Sequence, residues 1–291
     1  MARIVFAAAA SHTAQMVRSV DVLDPLQRRE IFEAWDRLRE NLDEARPDAL
    51  VIVSSEHFKS FHPNNMPAFC IGTGERTRSW GDGGVPKYEI PLHPEFSRYL
   101  LEGLIDSGID LAYSRDLPLD HGFACPLHFL TPKMTLPVVP IFVNCYAPPL
   151  PTMPRCAFIG ETLRKLIDRA SGVERVAFIG TGGLSHFLPP PRFDQQTKDD
   201  DQRLREIADA GPGRVNEQFD HEVMDALGSG KITAITDRGT GWVEENGGNG
   251  GQEIRSWIIA AAVAGDRAAR VITYHPVPRW LTGIGFMQWQ C

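Results

Sequence analysis

The chain has 291 residues, 43% of them hydrophobic and 23% charged, and it carries a net charge of −7. This negative balance, without any basic cluster, argues against a nucleic-acid-binding protein. The apolar run near the N-terminus is too short to span a membrane and shows no convincing signal-peptide cleavage pattern, so we expect a cytoplasmic protein. The five cysteines show no CxxC spacing, which argues against a disulfide framework and against a zinc–thiolate site.

Strand-like and helix-like segments alternate along most of the chain. Short apolar runs predict strands at 4–7, 50–53, 110–113, 138–143, 175–179, 270–273 and 284–287. Apolar stripes, such as Ile31, Trp35, Leu38 and Leu42 in the first, predict helices at 24–46, 94–108, 158–167, 215–227 and 252–264. The alternation predicts an α/β fold, a single domain over residues 1–291 with a central, mostly parallel or mixed sheet flanked by helices.

Four segments rich in glycine, proline or polar residues are predicted to be irregular. Residues 58–84 are expected to form a surface loop or, alternatively, a flap over a functional site. Residues 148–154 are rich in proline but do not mark a domain boundary, because the pattern of strands and helices resumes at once. The remaining two are a polar excursion at 188–213 and a glycine- and asparagine-rich stretch at 240–251.

Three of the predicted strands end in a serine-containing turn that is followed by a histidine. His12 follows the first strand, His57 follows the second, and His186 ends the segment GTGGLSH after the strand at 175–179. Ligands of open α/β sheets collect outside the carboxyl ends of the strands. We therefore expect these three histidines to converge on one site.

Two histidines and one carboxylate can bind one face of an octahedral metal ion, a donor set that suits non-haem Fe(II). His12 and His57, on what we expect to be adjacent strands, are the candidate imidazole ligands. Glu253 is the favoured carboxylate, because it follows a glycine run and begins a predicted helix. The alternative carboxylates are Glu56, Glu244 and Glu245. The candidates to hold the imidazoles by hydrogen bonds are Ser11, Ser54 and Glu56.

His121 and His186 lie in glycine-containing turns beside apolar strands, and neither is needed to complete the metal site. Imidazole titrates near neutral pH, so both are candidates for acid–base catalysis. The other histidines lack this context and are expected to lie at the surface or in packing contacts: His62, His93, His128, His221 and His275.

Together these motifs resemble those of the class III extradiol ring-cleavage dioxygenases, and the resemblance runs nearly end to end. It rests on His12 and on four segments: SSEHF at 54–58, LDHGFACPL at 119–127, GTGGLSH at 180–186 and QEIRSW at 252–257. The resemblance implies that His12, His57 and Glu253 bind Fe(II), with His121 and His186 as the acid–base pair. It also implies that a catechol-type substrate is opened by O2 beside its hydroxyl groups, giving a muconic-semialdehyde-type product in aromatic catabolism.

Two features depart from that family: the glycine run before Glu253 and the short region between His186 and Val215. The loops that contact the substrate are therefore expected to differ. No fused partner segment accompanies the domain, which favours a homo-oligomer. If the substrate bears a carboxylate, an arginine is the expected partner. The candidates are Arg76, Arg78, Arg255 and Arg279.

Two other functions are compatible with the same residues. Zinc on the same ligands, with His186 as the base, would make the protein a metal-dependent hydrolase. A non-catalytic binding protein of the same fold is the second alternative, although the carboxylate and the histidine of the DHG segment that catalysis needs are both present.

Overall fold

A large mixed sheet occupies the centre of the molecule. The computed structural model describes residues 1–188 and 213–291, so the excursion predicted over 188–213 lies outside the described residues apart from its two end positions. The strands are β1 (Arg3–Ala10), β2 (Ala49–Ser54), β3 (Phe69–Gly72), β4 (Arg76–Arg78), β5 (Glu89–Pro91), β6 (Ala112–Ser114), β7 (Val138–Val143), β8 (Arg175–Thr181), β9 (Ala269–Val277) and β10 (Thr282–Trp289).

Helices separate most of these strands. They are α1 (Gln15–Arg18), α2 (Pro25–Ala45), α3 (Pro94–Asp106), α4 (His121–Leu130), α5 (Met153–Arg169), α6 (Glu217–Gly228), α7 (Thr233–Thr236), α8 (Gly239–Gly247) and α9 (Ile254–Ala264). The start of α2 is typical: the Asp24 side chain accepts hydrogen bonds from the next turn and Pro25 occupies the first helical position. Across residues 1–188 and 213–291, no helix combines the length and apolar character needed to cross a membrane.

Eight strands form the main sheet in the order β6-β3-β7-β2-β8-β1-β10-β9, and β4 pairs with β5 in a separate small sheet. The four strands β7, β2, β8 and β1 are mutually parallel, whereas β10 and β9 add antiparallel pairs at one side. Helices α3, α5, α6 and α9 cover one face, and α2 and α4 cover the other. Burial on both faces explains the continuous apolar character of the central strands. The predicted α/β fold with a mixed sheet flanked by helices is confirmed.

Several local expectations are wrong. The strands that precede His12 and His57 are not neighbours, because β8 inserts between them. The segment 58–84 contains β3 and β4 rather than only loop, and His121 begins helix α4 instead of lying in a turn. Glu253 lies in a short 3-10 turn, Gly250–Glu253, just before α9 rather than in the first turn of that helix. Most of the glycine-rich stretch at 240–251 is helical as well.

Candidate metal centre

Three loops at one edge of the sheet bring the strand-end histidines together. Because β1, β8 and β2 are parallel and adjacent in that order, their carboxyl ends meet at the same edge. The loops after them carry His12, His186 and His57, and all three side chains line one cavity. Glu253 reaches the same cavity from the turn before α9, and His121 reaches it from the first residue of α4.

His12, His57 and Glu253 form a group with the spacing of a metal site. Their candidate ligand atoms all lie within 4.8 Å of one another. Oε1 of Glu253 is 3.4 Å from Nε2 of His57 and 3.7 Å from Nε2 of His12. Nε2 of His12 is buried and has no hydrogen-bond partner among the described residues. A buried polar atom without a hydrogen-bond partner costs folding free energy. Its presence here therefore favours a bound metal ion or ligand at Nε2.

Each histidine of the cavity uses Nδ1 for a hydrogen bond within the protein. The partners are Thr181 Oγ1 for His12 (3.1 Å), Asp120 Oδ2 for His57 (2.7 Å), Asp82 Oδ2 for His121 (2.6 Å) and the Leu184 carbonyl for His186 (2.8 Å). Such contacts fix the ring orientation and leave Nε2 as the nitrogen that can meet a metal or a substrate.

Burial and neighbouring charges divide these groups into neutral and charged members. Burial lowers the pKa of His12 to about 4 and also lowers the pKa of His186, so both rings are neutral near pH 7. Burial also opposes charge on His57, but the carboxylates of Asp120 and Glu253 together outweigh it and raise the pKa of His57 to about 10. Burial alone would raise the pKa of Glu253, yet His12 and His57 hold it well below its usual range. Glu253 is therefore an anionic donor beside neutral His12.

Glycines after β8 allow Glu253 to lie this close to the sheet. A Cβ at Gly180 would stand 2.2 Å from the carbonyl oxygen of Ser256, and one at Gly182 would stand 2.6 Å from Cβ of Glu253. Both distances are too short for real contacts, so any side chain here would push α9 away. The GTGG segment is thus required by the close approach of the strand end to the helix that follows Glu253.

A second group of suitable spacing consists of His57, Asp120 and His121. Asp120 is fully buried and already accepts hydrogen bonds from the backbone and Nδ1 of His57 and from the backbone of Gly122. Oδ2 is therefore engaged in orienting His57, and Oδ1 caps the start of α4. Both carboxylates accept hydrogen bonds, since Glu253 is engaged by the Ser55 hydroxyl and the Gly183 backbone. Of the two groups, the first contains the buried Nε2 of His12 that has no hydrogen-bond partner among the described residues, which favours His12, His57 and Glu253 for the metal.

The cavity has a volume of about 160 Å³ and contains apolar as well as polar walls. Leu188, Trp280 and Leu281 contribute apolar surface, and Tyr146 places its hydroxyl oxygen 3.4 Å from Nε2 of both His57 and His186. Among the described residues, the lining side chains that carry a permanent positive charge are Arg18 and Lys59. A flat apolar ring with polar substituents fits such a site.

The alternative carboxylates lie elsewhere. Glu244 and Glu245 are exposed on α8, and Glu56 accepts hydrogen bonds from the backbone of residues 59–61. Ser11 bonds to the backbone of β10, and Ser54 contacts Thr181 rather than an imidazole.

None of the four candidate arginines lines the cavity, and neither do the five histidines expected at the surface or in packing contacts. Arg255 is buried, with its guanidinium bonded to Pro151, Gln252 and Thr240.

Sequence reasoning missed several polar residues of the site, including the cationic Arg18 and Lys59 of the cavity wall. Those that contact the histidines are Asp82, Asp120, Tyr146 and Thr181. Asp120 stands directly before His121 in the DHG segment, and an aspartate before a predicted turn is a signal that could have identified it. Asp82 lies in the glycine-rich part of the segment considered as a flap. We find no sequence signal for Tyr146 or Thr181.

Comparison with known proteins identifies the family of the chain. Residues 6–285 match the family described as the catalytic LigB subunit of aromatic ring-opening dioxygenase. The chain therefore belongs to this family, and the predicted resemblance to extradiol ring-cleavage dioxygenases is confirmed, as is the prediction of an enzyme that opens aromatic rings.

Two relatives and one solved structure illustrate the similarity. A 2,3-dihydroxyphenylpropionate/2,3-dihydroxicinnamic acid 1,2-dioxygenase of Photorhabdus laumondii is 32% identical, over 90% of each chain. An enzyme of the same name from Rhodococcus jostii is 30% identical, over 94% of this chain and 95% of its own. The crystal structure of an uncharacterized protein from Escherichia coli K12 shares the fold, with a TM-score of 0.63 and 16% identity over 97% of this chain and 99% of that one.

Proposed function

We propose that the protein opens the ring of a catechol-type substrate with O2, using Fe(II) held by His12, His57 and Glu253. The observation that carries the proposal is the convergence of these three donors around the buried, unpartnered Nε2 of His12. Two imidazoles and a carboxylate suit Fe(II). When bound, the ion supplies a Lewis acid with open positions for the substrate and O2.

His186 is the proposed base for a substrate hydroxyl. Its Nε2 lies 3.9 Å from Oε2 of Glu253, beside the donor set. Burial keeps the ring neutral, and Nδ1 is occupied by the Leu184 carbonyl, so Nε2 is the nitrogen that can accept a proton. His121 is the proposed partner in proton transfer, because its ring stacks on that of His57 at 4.1 Å and lines the same cavity.

The apolar walls have two effects on this chemistry. Trp280, Leu281 and Leu188 supply surface against which an aromatic ring can pack. They also limit the access of water to the donor set, and hydrogen bonds and charges act more strongly in such a site.

The substrate we propose is a catechol that bears an anionic side chain. Two relatives are named for 2,3-dihydroxyphenylpropionate, a compound of this kind. Arg18 and Lys59 line the cavity and can pair with a substrate carboxylate. They take the role that the sequence assigned to one of four other arginines. The expected product is of the muconic-semialdehyde type. Cytoplasmic location, a homo-oligomeric state and the single-domain extent of 1–291 remain predictions.

The test is substrate-dependent O2 uptake by protein purified without air and loaded with either Fe(II) or Zn(II). We expect uptake with Fe(II) alone, strongest for 2,3-dihydroxyphenylpropionate, weaker for its methyl ester, and absent in His12→Ala and Glu253→Gln. His275→Gln is the matched control, because His275 pairs with Glu30 away from the cavity. Turnover that is independent of O2 in the Zn(II)-loaded protein would contradict the proposal and favour a hydrolase.

A further inference from the structure

Asp82 is a carboxylate of the cavity with no part in the donor set. Its Oδ2 lies 2.6 Å from Nδ1 of His121, although the two residues are 39 positions apart in the chain. The side chains of Asp82 and His121 are only 13% and 18% exposed. A short contact between a carboxylate and a largely buried imidazole is a strong, charge-assisted hydrogen bond.

Glycines with left-handed backbone conformations flank Asp82 on both sides. Gly81, Gly83 and Gly84 have φ angles of 73°, 62° and 83°, which are unfavourable for other residues. A Cβ at Gly83 would stand 2.4 Å from Cβ of Ala14, so the turn packs directly on the segment that follows His12. Asp82 is thus the one residue with a side chain in a four-residue glycine turn held against the site.

No other contact explains where the carboxylate points. Oδ1 of Asp82 is buried and has no hydrogen-bond partner among the described residues. Asp120, the other carboxylate near His121, is 4.0 Å from its Nδ1 and is engaged by His57. The hydrogen bond to His121 is therefore what orients Asp82, and Asp82 is the nearer acceptor for His121.

We propose that Asp82 is a positioning residue that holds the His121 ring through Nδ1 and so reserves Nε2 for proton transfer to or from the substrate. This rests on the proposed function of His121 as a proton-transfer group. Carboxylate partners of this kind fix both the tautomer and the orientation of an imidazole. The segment at 58–84, which the sequence suggested as a flap, would then do more than cover the site. It would also supply the Asp82 carboxylate that accepts the hydrogen bond of His121.

The kinetic test uses the Fe(II)-loaded full-length chain with Asp82→Ala and Asp82→Asn. We expect Asp82→Ala to lower kcat by about 10- to 100-fold, the usual effect of removing such a partner. Asp82→Asn, which keeps an acceptor oxygen of the same size, should retain more of kcat. KM, metal content and melting temperature should stay near the wild-type values, since Asp82 contacts none of the three metal donors by a hydrogen bond.

The matched control is Asp116→Asn, because Asp116 is an exposed carboxylate that pairs with Arg78 nearby. Asp116→Asn should leave kcat, KM, metal content and melting temperature unchanged. Wild-type kcat in Asp82→Ala would overturn the proposal. A parallel loss of metal and melting temperature in both Asp82 variants would also overturn it, because a merely structural role predicts that result.

A second readout does not depend on activity. In metal-free, nitrogen-labelled protein, the Nδ1 proton of His121, assigned by its loss in His121→Gln, should give a low-field, slowly exchanging resonance. The resonance should disappear in Asp82→Ala and persist in Asp116→Asn. Its persistence in Asp82→Ala would overturn the proposal. If instead the wild type shows the resonance but opens no catechol, the proposed function fails while the Asp82–His121 contact stands.

Discussion

Oδ2 of Asp120 lies 2.7 Å from the backbone nitrogen of His57 and 2.7 Å from its Nδ1, so one buried carboxylate fixes both the loop and the ring. Asp120→Asn keeps the shape, but its single amide oxygen cannot serve both His57 and the backbone of Gly122 as the two carboxylate oxygens do, and the negative charge beside His57 is lost. We expect Fe(II) affinity to fall by about 10- to 100-fold, as for other partners of metal-binding imidazoles. Titration of the metal-free protein with Fe(II) measures it, and an unchanged affinity would show that Asp120 does not support a ligand.

Removing the imidazole of His186 is expected to slow turnover without releasing the metal. His186→Gln should lower kcat by about 10²- to 10⁴-fold, the usual contribution of a general base or acid. The metal content should stay stoichiometric, because His186 is not among the three proposed ligands. Steady-state kinetics with a metal assay on the same samples tests this; wild-type-like turnover would exclude the proposed role.

Gly250 lies where the turn before Glu253 passes His186. A Cβ at this position would stand 2.0 Å from Nε2 of His186, so Gly250→Ala must displace the ring or the turn. We expect a loss of kcat comparable with that of His186→Gln. Gly241→Ala is the control, because a Cβ there meets nothing within 4 Å. Equal activities of the two alanine variants would show that the ring position is not critical.

Asp220 is expected to make the stability of the protein depend on pH. Its carboxylate is fully buried and accepts hydrogen bonds from the backbone and hydroxyl of Ser185 and from the hydroxyl of Tyr274. Burial raises the pKa of Asp220 from 3.8 to about 6, so the folded protein holds this proton more tightly than the unfolded chain does. The stabilisation is complete below about pH 3.8 and is lost as the pH rises to about 6.

Asp220→Asn has no carboxyl group at this position that could gain or lose a proton. The free energy of unfolding of the wild type, relative to that of Asp220→Asn, should therefore fall between about pH 4 and pH 6 and change little above. Urea unfolding across this range measures the difference. Asp225→Asn, on the exposed side of the same helix, should show no such trend relative to the wild type. A difference that stays constant with pH for Asp220→Asn would contradict the prediction.

The convergence of His12, His57 and His186 could be predicted because it follows from a general property of parallel sheets. Each histidine stands a few residues after an apolar run, and parallel strands present their carboxyl ends at one edge. The order of the strands could not be predicted in the same way. The apolar runs contain no signal that β8 lies between β1 and β2, because strand order depends on packing across the whole sheet.

Residues that act through tertiary contacts escaped prediction for a related reason. Asp82 reaches His121 from 39 positions away, and Thr181 reaches His12 from 169 positions away. No periodicity connects such pairs, and both side chains stand in segments whose glycines indicate only irregular backbone. The arginines were misplaced because charge alone does not tell a cavity wall from a buried structural contact, as Arg255 shows.

The central claim is that His12, His57 and Glu253 hold the ion that brings O2 and a catechol together. The most direct measurement is the incorporation of oxygen into the ring-opened product when the Fe(II)-loaded protein turns over 2,3-dihydroxyphenylpropionate under isotopically heavy O2, quenched rapidly for mass spectrometry. We predict that both heavy oxygen atoms enter the product and that Glu253→Gln forms none. A product without heavy oxygen, or one formed equally well in the absence of O2, would contradict the claim.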